Sequence, residues 1–231
     1  MENTLVIGHL FKEQLNAYGD AFNLQVLVQR LKERGIGSRV LEYTLGEELE
    51  LSPCDLLFMG GGDPRSLRMV VDYLRGEGPE IKGYLEQGGV LLATGSGAGI
   101  LGAEYQSGKE RLPGLGLLEQ VVKEDPGKAG SLRLEGTLGQ RKFQLQGYAE
   151  ALEVLSHEGT PLCMVERGGE LRPVGLLLPG VVAVGLYGPV LALNKDLADH
   201  VLGLALKKRF GKVKLKPLGD ALEQRMKKKG R

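Results

Sequence analysis

At 231 residues, with 42% hydrophobic and 26% charged residues, the chain has the composition of a globular protein able to bury a substantial core. No apolar run approaches the roughly 18–20 residues that cross a bilayer, and the N-terminus MENTLVIGHLF has neither a basic region nor a cleavage site, so the cytoplasm is the expected compartment. The net charge of +1 conceals a basic end on an acidic body, because residues 207–231 hold 11 Lys or Arg against 2 Asp or Glu.

Thr4 to Ile7 reads as a strand leading to Gly8-His9. Phe22 to Arg34 repeats apolar residues at helical spacing and is stopped by Gly35 and Gly37. Arg39 to Tyr43 and Asp55 to Met59 read as strands. Asp63 is placed to cap a helix that opens on Pro64 and runs to about Leu74. A second helix is expected over Ile81 to Gln87, followed by the buried strand Val90 to Ala93. This alternation predicts an α/β protein with a mostly parallel sheet and helices on both faces. From Leu117 to Leu186 the segments become short and β-like: Leu132 to Leu138, Lys142 to Leu145, Leu162 to Glu166, Val174 to Leu178 and Val181 to Leu186. Arg167-Gly168-Gly169 and Pro179-Gly180 mark hairpins, and a last helix spans Asp196 to Lys208. One domain over 1–210 with a basic tail over 211–231 is the expected organisation.

The densest chemical signal is Gly88 to Gly102, GGVLLATGSGAGILG, a buried strand entering a glycine-rich turn and then a helix. Turns of this kind present a nucleophile at the carboxyl end of a sheet. Here the apex holds Gly95 and Ser96, with no cysteine. Gly60, Gly61 and Gly62 follow another strand and could turn their N–H groups toward an anion, as an oxyanion loop does. Ser96 could replace the missing nucleophile, although its TGSGA context lacks the outer glycines of GxSxG; alternatively it caps the following helix. Gly97 to Gly102 also fits GxGxxG, yet the acidic residue a dinucleotide site needs has only Glu119 as a poor candidate. His9, His157 and His200 make no ligand spacing, so no metal and no cofactor are expected. Cys54 and Cys163 read as packed thiols.

Several of these stretches resemble the cobyric-acid-synthase-like branch of class I (triad) glutamine amidotransferases, and within it the GatD-type glutaminase subunits. The resemblance runs from His9-Leu10 through Leu15-Asn16, Tyr18, Asp20, Asn23 and Arg30, then Cys54 to Gly62 and Leu112 to Leu118. It ends at Gly188-Pro189, Asn194 and Leu197-Ala198-Asp199. It implies a flavodoxin-like fold with extra strands in the second half. It places the family's nucleophilic cysteine at Gly95, the tyrosine and glutamine after it at Ala98 and Gly99, and the general-base histidine at Tyr187. A further histidine motif falls on Gly147-Tyr148. The frame is retained and the polar residues that hydrolyse glutamine are replaced, which implies a pseudoenzyme.

The resemblance also implies a Mur-ligase-like (MurT-type) synthetase as partner, which receives ammonia and amidates the D-glutamate of lipid II in peptidoglycan and cell-wall synthesis. Asn16, Tyr18, Asp20 and Asn23 either serve that interface or brace the first helix. The basic tail is either a solvated helix or a contact for an acidic partner, an anionic membrane face or nucleic acid. No aromatic residue interleaves its lysines, so a nucleic-acid stacking surface is not expected. The alternative function is an active hydrolase or amidotransferase that uses Ser96.

Overall fold

The computed structural model describes residues 3–118, 121–124, 129–138, 141–150, 153–156, 159–167, 169–211 and 214–219. Its first strand, β1 (Thr4–Leu10), buries Leu5 and Ile7 on one side and Val6 and Leu10 on the other. A strand with no wet face belongs in the middle of a parallel sheet. The helix α1 (Phe22–Lys32) follows, then β2 (Gly37–Tyr43), β3 (Leu56–Met59), α2 (Pro64–Glu86), β4 (Leu91–Thr94) and the five-residue α3 (Gly95–Gly99). β3 and β4 are buried throughout.

The second half supplies β5 (Glu104–Ser107), β6 (Glu110–Pro113), β7 (Val121–Glu124), β8 (Ala129–Leu138), β9 (Arg141–Glu150) and β10 (Glu153–Ser156). There follow β11 (Thr160–Pro161), β12 (Met164–Arg167), β13 (Glu170–Pro173), β14 (Leu176–Leu178), β15 (Val181–Val184), α4 (Val190–Leu193) and α5 (Lys195–Phe210). The main sheet has seven strands in the order β11-β14-β15-β4-β3-β1-β2. From β15 to β2 all neighbours are parallel, and β14 and β11 join antiparallel at one edge. A four-stranded sheet (β10-β7-β5-β6) and the hairpins β8–β9 and β12–β13 lie outside it. Both hairpin signals, Arg167 to Gly169 and Pro179-Gly180, separate antiparallel neighbours as expected.

Two apolar layers sandwich the main sheet. Leu67, Val70, Val71, Leu74, Ile81 and Tyr84 of α2 cover one face. Leu24, Leu27 and Leu31 of α1, the apolar stripe of α5, and Phe143 and Leu145 of β9 cover the other. Among the described residues no helix is long and apolar enough to cross a membrane.

Two expectations need correction. The helices expected at 63–74 and 81–87 are one element, α2. Leu74 and Ile81 are seven residues apart, two helical turns, so the buried stripe continues in phase and outweighs the intervening Gly76, Gly78 and Pro79. The single strand expected over Val174 to Leu178 begins only at Leu176, because Gly175 has φ +101° and breaks the extended backbone.

Candidate functional site

β4 ends at Thr94 and the chain turns at Gly95, whose φ of +54° lies in the left-handed region that side chains other than glycine adopt with strain. The Gly95 N–H donates to the Leu186 carbonyl (2.9 Å), which ties the elbow to the segment after β15. A Cβ on Gly97 would collide with the Gly60 carbonyl oxygen, so the elbow and the loop after β3 pack backbone to backbone. Gly97 to Gly102 are all buried against protein, which leaves the GxGxxG pattern a packing device with no open cradle for a pyrophosphate. Glu119 lies outside the described residues.

The space above Gly95 is filled by Tyr187. An ideal Cβ built on Gly95 would lie 2.5 Å from Cδ1 of that ring, and one on Gly61 would lie 2.9 Å from Cε1. Tyr187 is 4% exposed. Its N–H donates to the Tyr148 carbonyl (2.7 Å), and its ring meets Tyr18 edge to face at 5.4 Å. Tyr18 also lies 5.8 Å from the Tyr148 ring. Tyr18 itself has φ +56°, and it is 59% exposed, so it closes the cluster from outside.

Ser96 is fully buried. Its hydroxyl donates to the Gly62 carbonyl and accepts from the Gly62 N–H, both at 3.0 Å. The serine therefore cross-links the elbow to the glycine loop. It does not cap α3, since Thr94 occupies the cap position and Ser96 lies inside the helix. Two N–H groups of the glycine loop are also committed internally, Gly62 to Ser96 and Gly61 to Asp20.

Asp20, singled out in the sequence as an interface or bracing residue, is the hub of the site, a role the sequence did not indicate. Its carboxylate accepts from the N–H of Gly61 (3.0 Å), the N–H of Gly188 (2.8 Å) and the hydroxyl of Thr94 (3.3 Å). One side chain thus joins the loop after β3, the end of β4 and the loop after β15. Burial without a cationic partner pushes its pKa up to about 7, while the three donors oppose the rise. Asn23 reinforces the same junction by donating to the carbonyls of Gly188 and Asp20 and accepting from the Leu191 N–H. Asp20 and Asn23 are fully buried, so they cannot form an outer interface; of the four residues considered for one, only Asn16 and Tyr18 are exposed. Asn16 accepts from the Ala21 N–H (2.8 Å) and braces the entry to α1. The available clue was the pairing of two distant polar stretches, 18–30 and 187–199. Asn23 reaches Gly188, and Arg30 grips Asp199 with Nε and Nη2 at 2.8 Å each.

The remaining titratable candidates lie elsewhere. His9 is 2% exposed, packs 5.4 Å from the Phe58 ring and is held at a pKa of about 4, chiefly by burial. It is neutral at physiological pH, and it takes no part in the hydrogen bonding of Ser96. His200 sits on α5 with its pKa lowered by burial, and His157 lies outside the described residues. Cys54 precedes β3 and so lies at the sheet edge opposite the elbow, with Sγ 3.3 Å from the Tyr43 hydroxyl and its thiol pKa raised by burial. Cys163 bridges to Gly136, and burial pushes its thiol up to about 12. Among the described residues no group of His, Cys, Asp or Glu could hold a metal ion.

Comparison with known proteins agrees with this frame. The CobB/CobQ-like glutamine amidotransferase domain matches residues 6–161. The subunit GatD of lipid II isoglutaminyl synthase (glutamine-hydrolyzing) from Streptococcus pneumoniae (strain ATCC BAA-255 / R6) is 26% identical over 228 residues, covering 95% of this chain and 88% of that protein. The subunit of the same name from Staphylococcus aureus (strain N315) is 28% identical over 213 residues, covering 89% and 86%. A crystal structure of a glutamine amidotransferase superposes with a TM-score of 0.60 at 22% identity, covering 86% of this chain and 98% of that one; at this identity the likeness is one of fold.

Proposed function

The chain belongs to the CobB/CobQ-like glutamine amidotransferase family, and on that premise we propose that it is a GatD-like subunit that keeps the amidotransferase frame without hydrolysing glutamine. The observation that carries this reading is the Tyr187 ring in the volume a side chain at position 95 would occupy. Amide hydrolysis through a covalent intermediate needs a nucleophile and a base that activates it. Gly95 offers no nucleophile, and a phenol at 187 does not supply the imidazole that the family uses as its base. The two replacements are sterically matched, since a cysteine at 95 and a tyrosine at 187 would compete for one space.

The rest of the site serves shape. Asp20, Asn23, Thr94 and Ser96 hold the three loops together through hydrogen bonds that a catalytic apparatus would need to position it. Here the same bonds maintain a closed surface with three tyrosines at its mouth. Ser96 as an alternative nucleophile has the weaker support, because both hydrogen-bonding roles of its hydroxyl are taken by Gly62 and it is fully buried.

By its likeness to proteins named as lipid II isoglutaminyl synthase subunits, the chain acts beside a Mur-ligase-like synthetase in the cytoplasm, in peptidoglycan precursor amidation. Of the four residues considered for that contact, Asn16 and Tyr18 are the exposed ones. Reconstitution with the synthetase tests the reading. The expected result is a stable complex in which ammonium supports amidation of D-glutamate and glutamine does not. Amidation driven by glutamine would overturn it.

A further inference from the structure

The elbow makes no use of the basic end of the chain. Residues 207–231 hold 11 Lys or Arg against 2 Asp or Glu, whereas residues 1–206 hold 19 against 27. Lys207, Lys208 and Arg209 form the last turn of α5, where cations offset the negative end of the helix dipole. Lys208 is committed further, since its Nζ donates to the Cys54 carbonyl (2.9 Å) and lies 4.2 Å from the centre of the Tyr84 ring. These local roles cover three of the cations, and the other eight follow Gly211. Gly211, with φ +78°, turns the chain out of α5. Leu215 then packs against the layer built by α1 and α5, and Arg34 Nε donates to the Lys216 carbonyl (2.9 Å). The backbone is thereby fixed to the body while Lys214 and Lys216 stay exposed. Arg225, Lys227, Lys228, Lys229 and Arg231 extend the basic stretch along the sequence.

Cations gathered in one stretch repel one another, and an opposed surface of negative charge relieves that repulsion. Eight of the 11 are lysines, compact point charges that suit a diffuse field better than the planar arginine fork, which grips single carboxylates or phosphates. Leu218, Leu222 and Met226 interleave them, and basic residues mixed with aliphatic ones suit the boundary between lipid headgroups and acyl chains. Platforms for single-stranded nucleic acid use aromatic rings, and residues 207–231 contain only Phe210, which packs against the α1–α5 layer. We infer that residues 211–231 are a docking surface for an anionic lipid membrane. The lysines hold the chain to the membrane face, and the acidic charge of residues 1–206 keeps the rest of the molecule turned away from it. This goes beyond the amidotransferase frame and is independent of whether glutamine is hydrolysed at the elbow.

Flotation of the full chain with phosphatidylcholine vesicles, with and without phosphatidylglycerol, tests the inference. The expected result is binding only where phosphatidylglycerol is present, lost as salt rises to about 1 M, where screening acts within about 3 Å. Each lysine near an anionic bilayer contributes roughly five-fold in affinity. Lys227→Gln/Lys228→Gln/Lys229→Gln should therefore weaken binding at least about ten-fold. Lys214→Gln/Lys216→Gln, at two exposed positions on the anchored segment, should weaken it at least about five-fold. Arg65→Gln/Arg75→Gln/Lys82→Gln removes three charges from exposed positions of α2, in the opposite layer, and should leave binding within about two-fold, since attraction falls off within a screening length. Absence of flotation, which a tail folded against the acidic body would give, overturns the inference. So does equal flotation on phosphatidylcholine alone, binding that survives both tail variants, or an equal loss in the α2 variant.

Discussion

Glycine 95 and tyrosine 187 are a coupled pair, and the coupling is measurable. Gly95→Cys forces a side chain into left-handed backbone and into the Tyr187 ring, which should cost about 2–4 kcal/mol in urea unfolding. Gly95→Cys/Tyr187→His should recover at least about 1 kcal/mol of that loss. Strict additivity of the two single changes would show that the ring does not occupy the nucleophile's space. Asp20 carries a second prediction at this scale. Its folded pKa of about 7 lies above the ordinary carboxylate value, so between about pH 4 and 7 the native state holds more protons than the unfolded chain. Its contribution to stability therefore falls as pH rises through that window. His9 slopes the opposite way below its ordinary value of 6.5, because its folded pKa is lowered to about 4. The difference between wild type and Asp20→Asn isolates the aspartate: the wild type should lose more stability than the variant from pH 4 to 7. Parallel pH profiles would mean the carboxyl ionises as freely in the fold as outside it.

Elements were more legible than the bonds between them. The strands before Gly8 and Gly60 and the capped start of α2 follow from residue type. Asp63 accepts from the N–H groups of Arg65 and Ser66, as its position before Pro64 predicts. Asp63→Ala should accordingly cost about 1 kcal/mol by thermal or chemical unfolding; no measurable loss would mean that the cap is replaced by water. The extent of α2 was hidden by Gly76, Gly78 and Pro79, which local propensity treats as stops and the buried stripe overrides. The role of Asp20 was hidden for another reason. Its partners Gly61, Thr94 and Gly188 stand 41, 74 and 168 residues away, and only the tertiary approach of three strand ends brings them together. Asn23 shows the same limit, since Gly188 and Leu191 are its partners across the sheet end. Asn23→Ala should leave the buried Leu191 N–H without its acceptor and destabilise the protein by about 1–3 kcal/mol. A negligible change would show that the loops around the elbow are held by packing alone.

At the level of the whole molecule, five parallel strands and two covering layers build a platform whose carboxyl edge gathers the elbow, the glycine loop and the segment after β15. The elbow, the glycine loop and the segment after β15 converge at one point, and that point holds the Tyr187 ring. The fold therefore speaks for ancestry, and the side chains decide the activity. The most direct measurement is glutamate release from glutamine by the purified chain, alone and with the proposed Mur-ligase-like synthetase, with Ser96→Ala beside it. The expected result is no release above background in either setting. Release that persists on purification and disappears in Ser96→Ala would contradict the proposal, because the buried serine would then be the nucleophile.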